Sequence, residues 1–396
     1  MSAPPFCMAP FGALSIGANG DVRPCCQFIG SIGSLSDARL DEIWSGSALE
    51  DLRQSLRRGD TPEACWKCTS AEAAGGRSLR QELNRRFADH TEDSTTQRPV
   101  YMDFRYSNLC NFRCRSCHHG ASSRWYSDAK AMGTTNASTA LLTAFHSAED
   151  GIAQFKSLDG AIRELYFAGG EPLMEKQNAD LLGFLIDQGR TDITLSYNTN
   201  LSVLDVEAVD LTTLWQHFPT LYIETSIDAI GEAGSLIRRG FDWDVFRANM
   251  VRLRETCPQA RIRAGITVSA LNLLRLPELC LALHGECGFA FDFLNIHALQ
   301  MPLHYDIAIL PDAAKERAAM QLEALAREIA AQEPNAKTPA TLRQLIKRME
   351  PASIGLDTAQ LAAARAEFRR ITSQLDGLRR ESTVDILPEL APLMRG

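Results

Sequence analysis

The sequence predicts an α/β fold in which a parallel sheet curls into a partial barrel. From residue 100 onward, short strand-like runs alternate with amphipathic helical runs, an order typical of a parallel sheet with helical connections. Before residue 98 the chain carries paired cysteines, and after residue 310 it is rich in Ala, Leu, Glu and Arg at helical spacing. These differences predict three domains, 1–98, 99–310 and 311–396.

Composition and charge are those of a soluble globular protein. The chain has 396 residues, of which 45% are hydrophobic, so a sizeable core is expected. The formal net charge of -8 argues against a general nucleic-acid or anionic-membrane surface, because both need basic patches. The first residues lack the charged and apolar regions of a signal peptide, and no later run is long enough to span a membrane. We therefore expect a cytoplasmic protein that binds neither nucleic acid nor membrane.

The cysteines favour metal ligation over disulfides, because the chain has 11 of them in an expected cytoplasmic setting. Most are clustered, at positions 7, 25, 26, 65, 68, 110, 114 and 117. Cys257, Cys280 and Cys287 lie apart in apolar surroundings, and we predict that they are buried in the core.

The N-terminal segment is predicted to bring two groups of cysteines together. Residues 14–17, a turn at 19–21 and residues 22–26 predict a hairpin with cysteines at both ends. Residues 40–56 have the spacing of a helix, and a second cysteine pair follows at 65 and 68. The candidate ligands of one metal centre are therefore Cys7, Cys25 or Cys26, Cys65 and Cys68.

A metal would explain how so small a segment holds together, because it could hardly do so on its own core. Four thiolates suit zinc and an iron–sulfur cluster equally well, so the spacing leaves both open. A helix is predicted over 77–84, and the polar run 89–97 is predicted to be a linker.

Three further cysteines stand at CxxxCxxC spacing, in the sequence CNFRCRSC at 110–117, after the first strand-like run. A 4Fe-4S cluster held by three thiolates keeps one iron free for a ligand that is not protein. The alternative is a structural zinc site in which His118 or His119 completes the four ligands. Three unrelated core cysteines are not expected, because so short a polar loop offers no core to bury them in.

Unusual residues follow the predicted strands at the end where barrels carry their reactive groups. The strand-like runs are 100–106, 163–168, 192–197, 221–227, 261–268 and 291–297, which together predict a partial (β/α)6, TIM-like barrel. The sequence AGGEP at 168–172 comes after the second strand, Asn198 and Asn200 come after the third, and Ser226 and Asp228 come after the fourth, at the end of its run. Paired glycines let the backbone approach a ligand, and the adjoining carboxylate can receive an ammonium group. On its own, GGEP is also typical of a turn.

The C-terminal part is predicted to be helical. Residues 312–332 and 357–380 have helical periodicity, and a proline-containing tail follows at 386–396. We interpret this extension as a helical cap on the barrel in preference to an arm that binds a partner.

Together these motifs resemble the radical S-adenosylmethionine superfamily. CNFRCRSC is similar to its CxxxCxxC motif, AGGEP to its methionine-binding GGE motif, and residues 100–310 to its partial barrel. The resemblance implies that Cys110, Cys114 and Cys117 ligate a 4Fe-4S cluster whose open iron binds S-adenosylmethionine. The cofactor contacts that it implies are Gly169, Gly170 and Glu171 at the methionine amino group, Asn198, Asn200 and Ser226 at the ribose or carboxylate, and Arg238 at the carboxylate.

The chemistry of that family is implied with its cofactors. One electron breaks the C5′–S bond of S-adenosylmethionine, and the resulting 5′-deoxyadenosyl radical abstracts a hydrogen atom from the substrate. The resemblance therefore implies an enzyme that receives its electron from reduced flavodoxin or ferredoxin. The sequence assigns no residue to acid or base catalysis.

Residues 7–68 resemble the SPASM or twitch module, which binds a second, auxiliary 4Fe-4S cluster, through GANGDVRPC, LDEIW and CWKC. The ligands that this implies are Cys7, Cys25, Cys65 and Cys68. Successive side chains of an extended strand point to opposite faces, so we expect Cys26 to be a packed thiol. Two features depart from the family: the module precedes the barrel, and Ser116 replaces the hydrophobic residue usual before the third core cysteine.

Three hypotheses for function follow. The first is a radical enzyme that modifies a peptide or protein side chain. The second is a radical enzyme that oxidises or rearranges a small sugar, aminocyclitol or nucleotide. The third is a metal-binding or electron-transfer protein without catalysis, and cleavage of S-adenosylmethionine separates it from the other two.

Overall fold

The computed structural model describes residues 6–73, 76–88, 98–158 and 161–395. The predicted linker at 89–97 lies outside the described residues.

The strands confirm the predicted alternation. In chain order they are β1 (Ala13–Ile16), β2 (Asp21–Arg23), β3 (Gly33–Ser34), β4 (Tyr101–Phe104), β5 (Arg113–Cys114), β6 (Glu164–Phe167), β7 (Thr194–Thr199), β8 (Asp205–Val206), β9 (Val209–Asp210), β10 (Leu221–Ser226), β11 (Arg238–Arg239), β12 (Arg261–Val268) and β13 (Leu294–Ala298). Each strand-like run predicted after residue 100 overlaps one of them, β4, β6, β7, β10, β12 or β13, although β7 and β13 extend beyond the predicted ends.

Helices connect and follow these strands. They are α1 (Ala9–Gly12), α2 (Leu40–Trp44), α3 (Ser47–Arg57), α4 (Trp66–Ala73), α5 (Leu79–Arg86), α6 (Tyr126–Ala131), α7 (Ala148–Ser157), α8 (Lys176–Asp187), α9 (Leu211–Trp215), α10 (Gly231–Ile237), α11 (Trp243–Thr256), α12 (Leu276–Gly285), α13 (Asp312–Gln332), α14 (Thr338–Arg348), α15 (Thr358–Arg379), α16 (Thr383–Ile386) and α17 (Ala391–Arg395). The predicted α/β class is confirmed.

The chain folds into two compact units. The first contains Met1–Cys110, Leu141–Asn198 and Leu204–Tyr222. The second contains Asn111–Ala140, Thr199–Val203 and Ile223–Gly396. The division into 1–98, 99–310 and 311–396 stays a prediction.

In the first unit the N-terminal hairpin extends a parallel sheet. The strand order is β7-β6-β4-β1-β2-β3, with β1 parallel to β4 and β2 antiparallel to β1. The sequence predicted the hairpin of β1 and β2. It did not predict that β1 would pair with β4, because local periodicity carries no information on a partner so distant in the chain.

The two faces of this sheet differ in polarity, as the alternation of side chains along a strand requires. One face is apolar and fully buried, and it includes Leu14, Met102, Leu165 and Leu195. The other face carries a polar row, in which Ser15 is opposite Asp103, Asp103 opposite Tyr166 and Tyr166 opposite Ser196. Ser15, Asp103 and Ser196 are nevertheless buried, at 4%, 1% and 8% exposure, so these polar groups lie inside the protein.

The second unit contains parallel strands and the C-terminal helices. Strand β12 lies between β10 and β13 and runs parallel to β13. The helices predicted over 312–332 and 357–380 are confirmed as α13 and α15. Helix α15 begins with a capping box, in which Asp357 accepts from the Gln360 backbone N–H at 2.8 Å and Gln360 accepts from that of Asp357 at 3.0 Å. The proline-containing tail includes the short helix α17.

One predicted helix is wrong as a single element. Residues 40–56 form two helices, α2 and α3, which are separated at Ser45 and Gly46. Gly46 has an extended backbone, with φ -73° and ψ 158°, and precedes the first residue of α3. Glycine is unfavourable inside a helix but acceptable at the position that precedes one, so the chain turns there.

The buried cysteines are where they were predicted. Cys257, Cys280 and Cys287 are 1%, 0% and 7% exposed. Within the described part of the chain, no helix is both long and apolar enough to cross a membrane.

Candidate metal centres

Four thiols of the first unit line one pocket: Cys7, Cys25, Cys65 and Cys68. The pocket encloses about 480 Å³ of empty space, part of it open to solvent. Its other walls are mainly apolar and include Phe28, Leu56, Pro62, Leu79 and Leu83. Among the described residues, no three His, Cys, Asp or Glu side chains are grouped closely enough to hold a single metal ion. The donor set fits a 4Fe-4S cluster, in which each thiolate binds a different iron.

Helix α5 holds the first of these cysteines in place. The Phe6 carbonyl accepts from Arg80 Nη1 at 2.7 Å and from Asn84 Nδ2 at 2.9 Å. The Met8 backbone N–H donates to Asn84 Oδ1 at 2.8 Å. The residues on both sides of Cys7 are therefore fixed to one helix, which fixes the direction of its thiol.

The other three cysteines are held by a turn that lies against a second turn. The Phe28 N–H donates to the Cys25 carbonyl at 3.2 Å, and the Ile29 N–H donates to the Ala64 carbonyl at 3.0 Å. The Cys68 thiol donates to Gln27 Oε1 at 3.5 Å. Residues 25–29 and 62–68 therefore form one structure around the pocket.

Burial makes these thiols poor acids in the protein without metal. Desolvation by burial raises the pKa of Cys7 to about 12, and the charges of the neighbouring thiolates make a smaller contribution in the same direction. Desolvation also raises the pKa of Cys25 to about 11. A bound metal must replace these protons, because the thiolate is the ligand.

Cys26 does not line this pocket, and it is exposed. The prediction of a packed thiol is therefore wrong. Strand β2 ends at Arg23 and the chain turns at 25–28, so the alternation of an extended strand no longer applies at Cys26. Its thiol interacts electrostatically with Asp103 and Arg105, which belong to the polar face of the first unit's sheet.

The predicted glycine motif lies against the chain that leads into Cys110. The Glu171 N–H donates to the Leu109 carbonyl at 2.7 Å. A Cβ atom added to Gly170 would be 2.0 Å from the Leu109 carbonyl oxygen. Gly169 has φ +122°, a conformation that side chains rarely adopt. The two glycines therefore allow two backbone segments to approach each other, whereas the sequence had suggested approach to a ligand.

Glu171 itself is 2% exposed and caps the turn that follows the glycines. Its Oε1 accepts from the Leu173 N–H at 3.1 Å, at the start of the short helix Pro172–Met174. Asn198 is half-buried near the end of β7, also in the first unit.

In the second unit, Arg238 lies beside Cys114, the second cysteine of the CxxxCxxC motif. Strands β5 and β11 pair so that Arg238 is opposite Cys114. Arg238 Nη1 is 3.9 Å from the Cys114 sulfur, and its Nε donates to Asp228 Oδ2 at 2.7 Å. Desolvation raises the pKa of the Cys114 thiol, and the Arg238 charge opposes this rise. Desolvation, with the neighbouring Cys114, raises the pKa of Cys117 to about 12.

Side-chain hydrogen bonds join the loop at 199–203 to residues 110–117, which carry the CxxxCxxC motif and are called the cysteine loop. Asn200 Nδ2 donates to Asn111 Oδ1 at 3.0 Å, and Asn111 Nδ2 donates to Ser202 Oγ at 2.7 Å. Leu201 between them has φ 54°. Ser226, the last residue of β10, is half-buried in the same unit.

The two histidines of the zinc alternative make contacts within their own loop. The His119 ring nitrogens are 3.2 Å from Thr135 Oγ1 and 2.9 Å from the Ala140 carbonyl oxygen. His118 Nδ1 accepts from the Gly120 N–H at 3.1 Å. These contacts engage both ring nitrogens of His119 and Nδ1 of His118.

The structure also reveals residues that the sequence did not select. Asp228 orients Arg238 through a hydrogen bond. The sequence did indicate this residue, because a carboxylate at the end of a strand-like run is typical of a barrel site. Arg379, on helix α15, donates to the Arg113 carbonyl of the cysteine loop and to Asp128 of helix α6, which is 251 positions away in the chain. No local pattern marks such a contact.

Residues 7–69 match the family model of SPASM, described as an iron-sulfur cluster-binding domain. This match confirms the predicted auxiliary module and decides between zinc and iron–sulfur in favour of the latter. No curated protein matches the sequence significantly.

Solved structures give partial matches of low similarity. The structure of anSMEcpe with bound AdoMet and Cp18Cys peptide has a TM-score of 0.40 and 14% identity, over 59% of this chain and 61% of that one. The structure of Streptococcus suis SuiB bound to precursor peptide SuiA has a TM-score of 0.33 and 11% identity, over 71% of this chain and 60% of that one. The structure of TYW1 with a lysine-pyruvate adduct bound has a TM-score of 0.29 and 12% identity, over 59% of this chain and 71% of that one. This chain thus spans less than two thirds of the first two proteins.

The glycine motif gives a test of the close approach at Leu109. Gly170→Ala should destabilise the protein by about 1–3 kcal/mol or more, because the new methyl group meets backbone that must shift. The matched control is Gly183→Ala in helix α8, where a Cβ meets nothing within 4 Å and alanine should be neutral or stabilising. Thermal unfolding of both variants checks this, and equal melting temperatures would contradict it.

Proposed function

We propose that the chain is a radical S-adenosylmethionine enzyme with an auxiliary iron–sulfur cluster, acting on a peptide or protein side chain. The observation that carries the proposal is the presence of two separate cysteine sets in one chain. One lines a pocket inside the segment matched to an iron-sulfur cluster-binding domain, and the other has CxxxCxxC spacing. The proposed domains are the auxiliary module at 1–98, the barrel at 99–310 and the helical extension at 311–396.

Each predicted ligand has a role in this proposal. Cys110, Cys114 and Cys117 hold the core 4Fe-4S cluster, and Cys7, Cys25, Cys65 and Cys68 hold the auxiliary one. The proposed contacts to S-adenosylmethionine are Gly169, Gly170, Glu171, Asn198, Asn200, Ser226 and Arg238. When bound, these groups supply one-electron cleavage of the cofactor and a 5′-deoxyadenosyl radical.

Arg238 and Asp228 prepare one of these contacts in advance. Asp228 is 3% exposed and is held by the Thr267 N–H at 2.9 Å and by Arg238 Nε at 2.7 Å. The guanidinium is thereby fixed with its Nη1 beside the Cys114 sulfur, and it is a fork-shaped donor of the kind that pairs with a carboxylate. A fixed cation of this kind can orient a cofactor carboxylate without reorganisation.

The polar face of the first unit's sheet supports a polar substrate. Buried Asp103 accepts from Arg105 Nε and Nη2, both at 3.1 Å, and from Ser15 Oγ at 2.8 Å. The Arg105 side chain is 32% exposed and keeps further N–H donors for a ligand. We assign this surface to the peptide amide or side-chain oxygens of a substrate. A small sugar, aminocyclitol or nucleotide is the second candidate, and reduced flavodoxin or ferredoxin is the proposed electron donor.

Metal content tests the two cysteine sets. Anaerobically reconstituted protein should carry about eight irons, since each set matches a four-iron cluster. Cys25→Ala should lose about half of the iron, whereas its neighbour variant Cys26→Ala should keep all of it, because Cys26 lies outside the pocket lining. Iron and zinc analysis measures both. The reverse pattern, or stoichiometric zinc in place of the second cluster, would overturn the assignment.

Cofactor cleavage tests the class of protein. The reduced wild type should form 5′-deoxyadenosine, and Cys110→Ala, Cys114→Ala and Cys117→Ala should each abolish it, because the open iron is lost with the cluster. Chromatography of the reaction with dithionite measures the product. Absence of 5′-deoxyadenosine from fully loaded wild type would favour the electron-transfer alternative.

Co-expression with the genomic neighbours tests the substrate class. Mass spectrometry should find a mass change in a peptide or protein, and Arg105→Ala should lower that modification at least tenfold while keeping 5′-deoxyadenosine formation. The control is Arg58→Ala, which removes another arginine of the first unit, 63% exposed and paired with Asp60. A change in a small metabolite with unmodified peptides would support the second candidate.

A further inference from the structure

We infer that the C-terminal helix α15 supplies a buried arginine, Arg379, which donates a hydrogen bond to a sulfur of the core cluster and favours its reduced state. The inference rests on the proposed function, because it requires a cluster at the CxxxCxxC loop. It gives the helical extension a role that a cap on the barrel does not have. Each contact that supports it lies within the second unit.

Arg379 is held next to the cysteine loop by three contacts. It is 3% exposed, its Nε donates to Asp128 Oδ2 at 2.9 Å, and its Nη1 donates to the Arg113 carbonyl at 2.9 Å. The guanidinium carbon lies 4.9 Å from the centre of the Trp125 ring. These contacts use one face and two nitrogens of the guanidinium.

The third nitrogen of Arg379 is buried without a hydrogen-bond partner among the described residues. Buried donors are normally satisfied, so an orphan of this kind calls for an acceptor. The same guanidinium acts electrostatically on the thiols of Cys114 and Cys117. A thiolate or sulfide sulfur of the cluster is an acceptor of the required charge.

The residues around Arg379 are also hydrogen-bonded to the cysteine loop. Trp125 Nε1 donates to the Cys114 carbonyl at 2.7 Å, and Arg113 Nη1 donates to Asp128 Oδ1 at 3.0 Å. The neighbours of Arg379 are thus themselves bound to the backbone or side chains of residues 113 and 114. A hydrogen bond from Arg379 would therefore act where the cluster is attached.

A second buried arginine joins the loop to the same helix. Arg115 stands between two of the core cysteines, and its fully buried side chain forms ion pairs with Asp376 and Glu381. Glu381 also pairs with Arg239 at 2.8 Å, and Arg239 donates to the Arg379 carbonyl at 2.8 Å. The loop and the end of α15 therefore share one network of charged side chains, of which Arg115 and Arg379 are fully buried.

The charges of this network favour an added electron. Its cations are Arg113, Arg115, Arg239 and Arg379, and its anions are Asp128, Asp376 and Glu381, so one positive charge is in excess. Reduction makes a cluster more negative, and both nearby positive charge and hydrogen bonds to sulfur raise its reduction potential.

The test is a redox titration of the reconstituted holoenzyme followed by electron paramagnetic resonance. The core cluster is identified as the one whose signal changes when S-adenosylmethionine is added. Arg379→Gln should make reduction of that cluster about tenfold less favourable, which is about 59 mV for one electron. The potential of the auxiliary cluster should not change.

The matched control is Arg370→Gln on the same helix, where the arginine side chain is 51% exposed and paired with Glu367. It should leave both potentials unchanged. An unchanged core potential in Arg379→Gln at full iron content would overturn the inference. If no core cluster forms in wild-type protein, the proposed function fails instead.

A second measurement decides the matter if Arg379→Gln does not fold. Wild-type protein labelled with ¹⁵N-arginine should show nitrogen hyperfine coupling at the core cluster, and Arg379→Lys, which keeps the charge, should lose a part of that coupling. Arg238 is the other arginine near these cysteines, so its coupling should persist in Arg379→Lys. Identical spectra for the wild type and Arg379→Lys would overturn the inference.

Discussion

Main-chain pairing between β1 and β4 is the constraint on which the first unit depends. The register places Ser15 opposite Asp103, where their side chains form a hydrogen bond of 2.8 Å. A slip of one residue would turn Ser15 to the apolar face, so the register is strongly specified. The same pairing joins the cysteine-rich segment to the strand that leads towards Cys110. The pairing therefore connects the segment that lines the four-thiol pocket with a strand of the polar row.

In the second unit, ion pairs of two buried arginines join distant parts of the chain. Arg115 and Arg379 have no exposed side-chain surface, and each has two partners or more. Removing one partner of such a group would be strongly destabilising, because an uncompensated charge in the interior is costly. The cysteine loop and helix α15 therefore depend on each other, although far apart in sequence.

Sequence patterns predicted what depends on short range. Alternation located the strands, and the turn at Asn19 and Gly20 located the hairpin. The capping residue Asp357 marks the start of α15 within one residue of the prediction. The features that the patterns missed are of two kinds: contacts between residues far apart in the chain, and the backbone conformation at single turns. The pairing of β1 with β4 and the ion pairs of Arg115 join distant residues, whereas the exposure of Cys26 follows from a turn at the end of β2. The break at Gly46 was visible as a glycine within an otherwise helical pattern.

The order of strands in the first unit also determines where its sheet ends. Beyond β1 and β2 the last strand is β3, which has only two residues, Gly33 and Ser34. An unpaired long edge offers main-chain donors and acceptors to any other extended chain, and so invites aggregation. The N-terminal hairpin covers the β4 side of the parallel sheet and replaces it with a short edge. The cysteine-rich segment therefore leaves the parallel strands without a long unpaired edge on the β4 side.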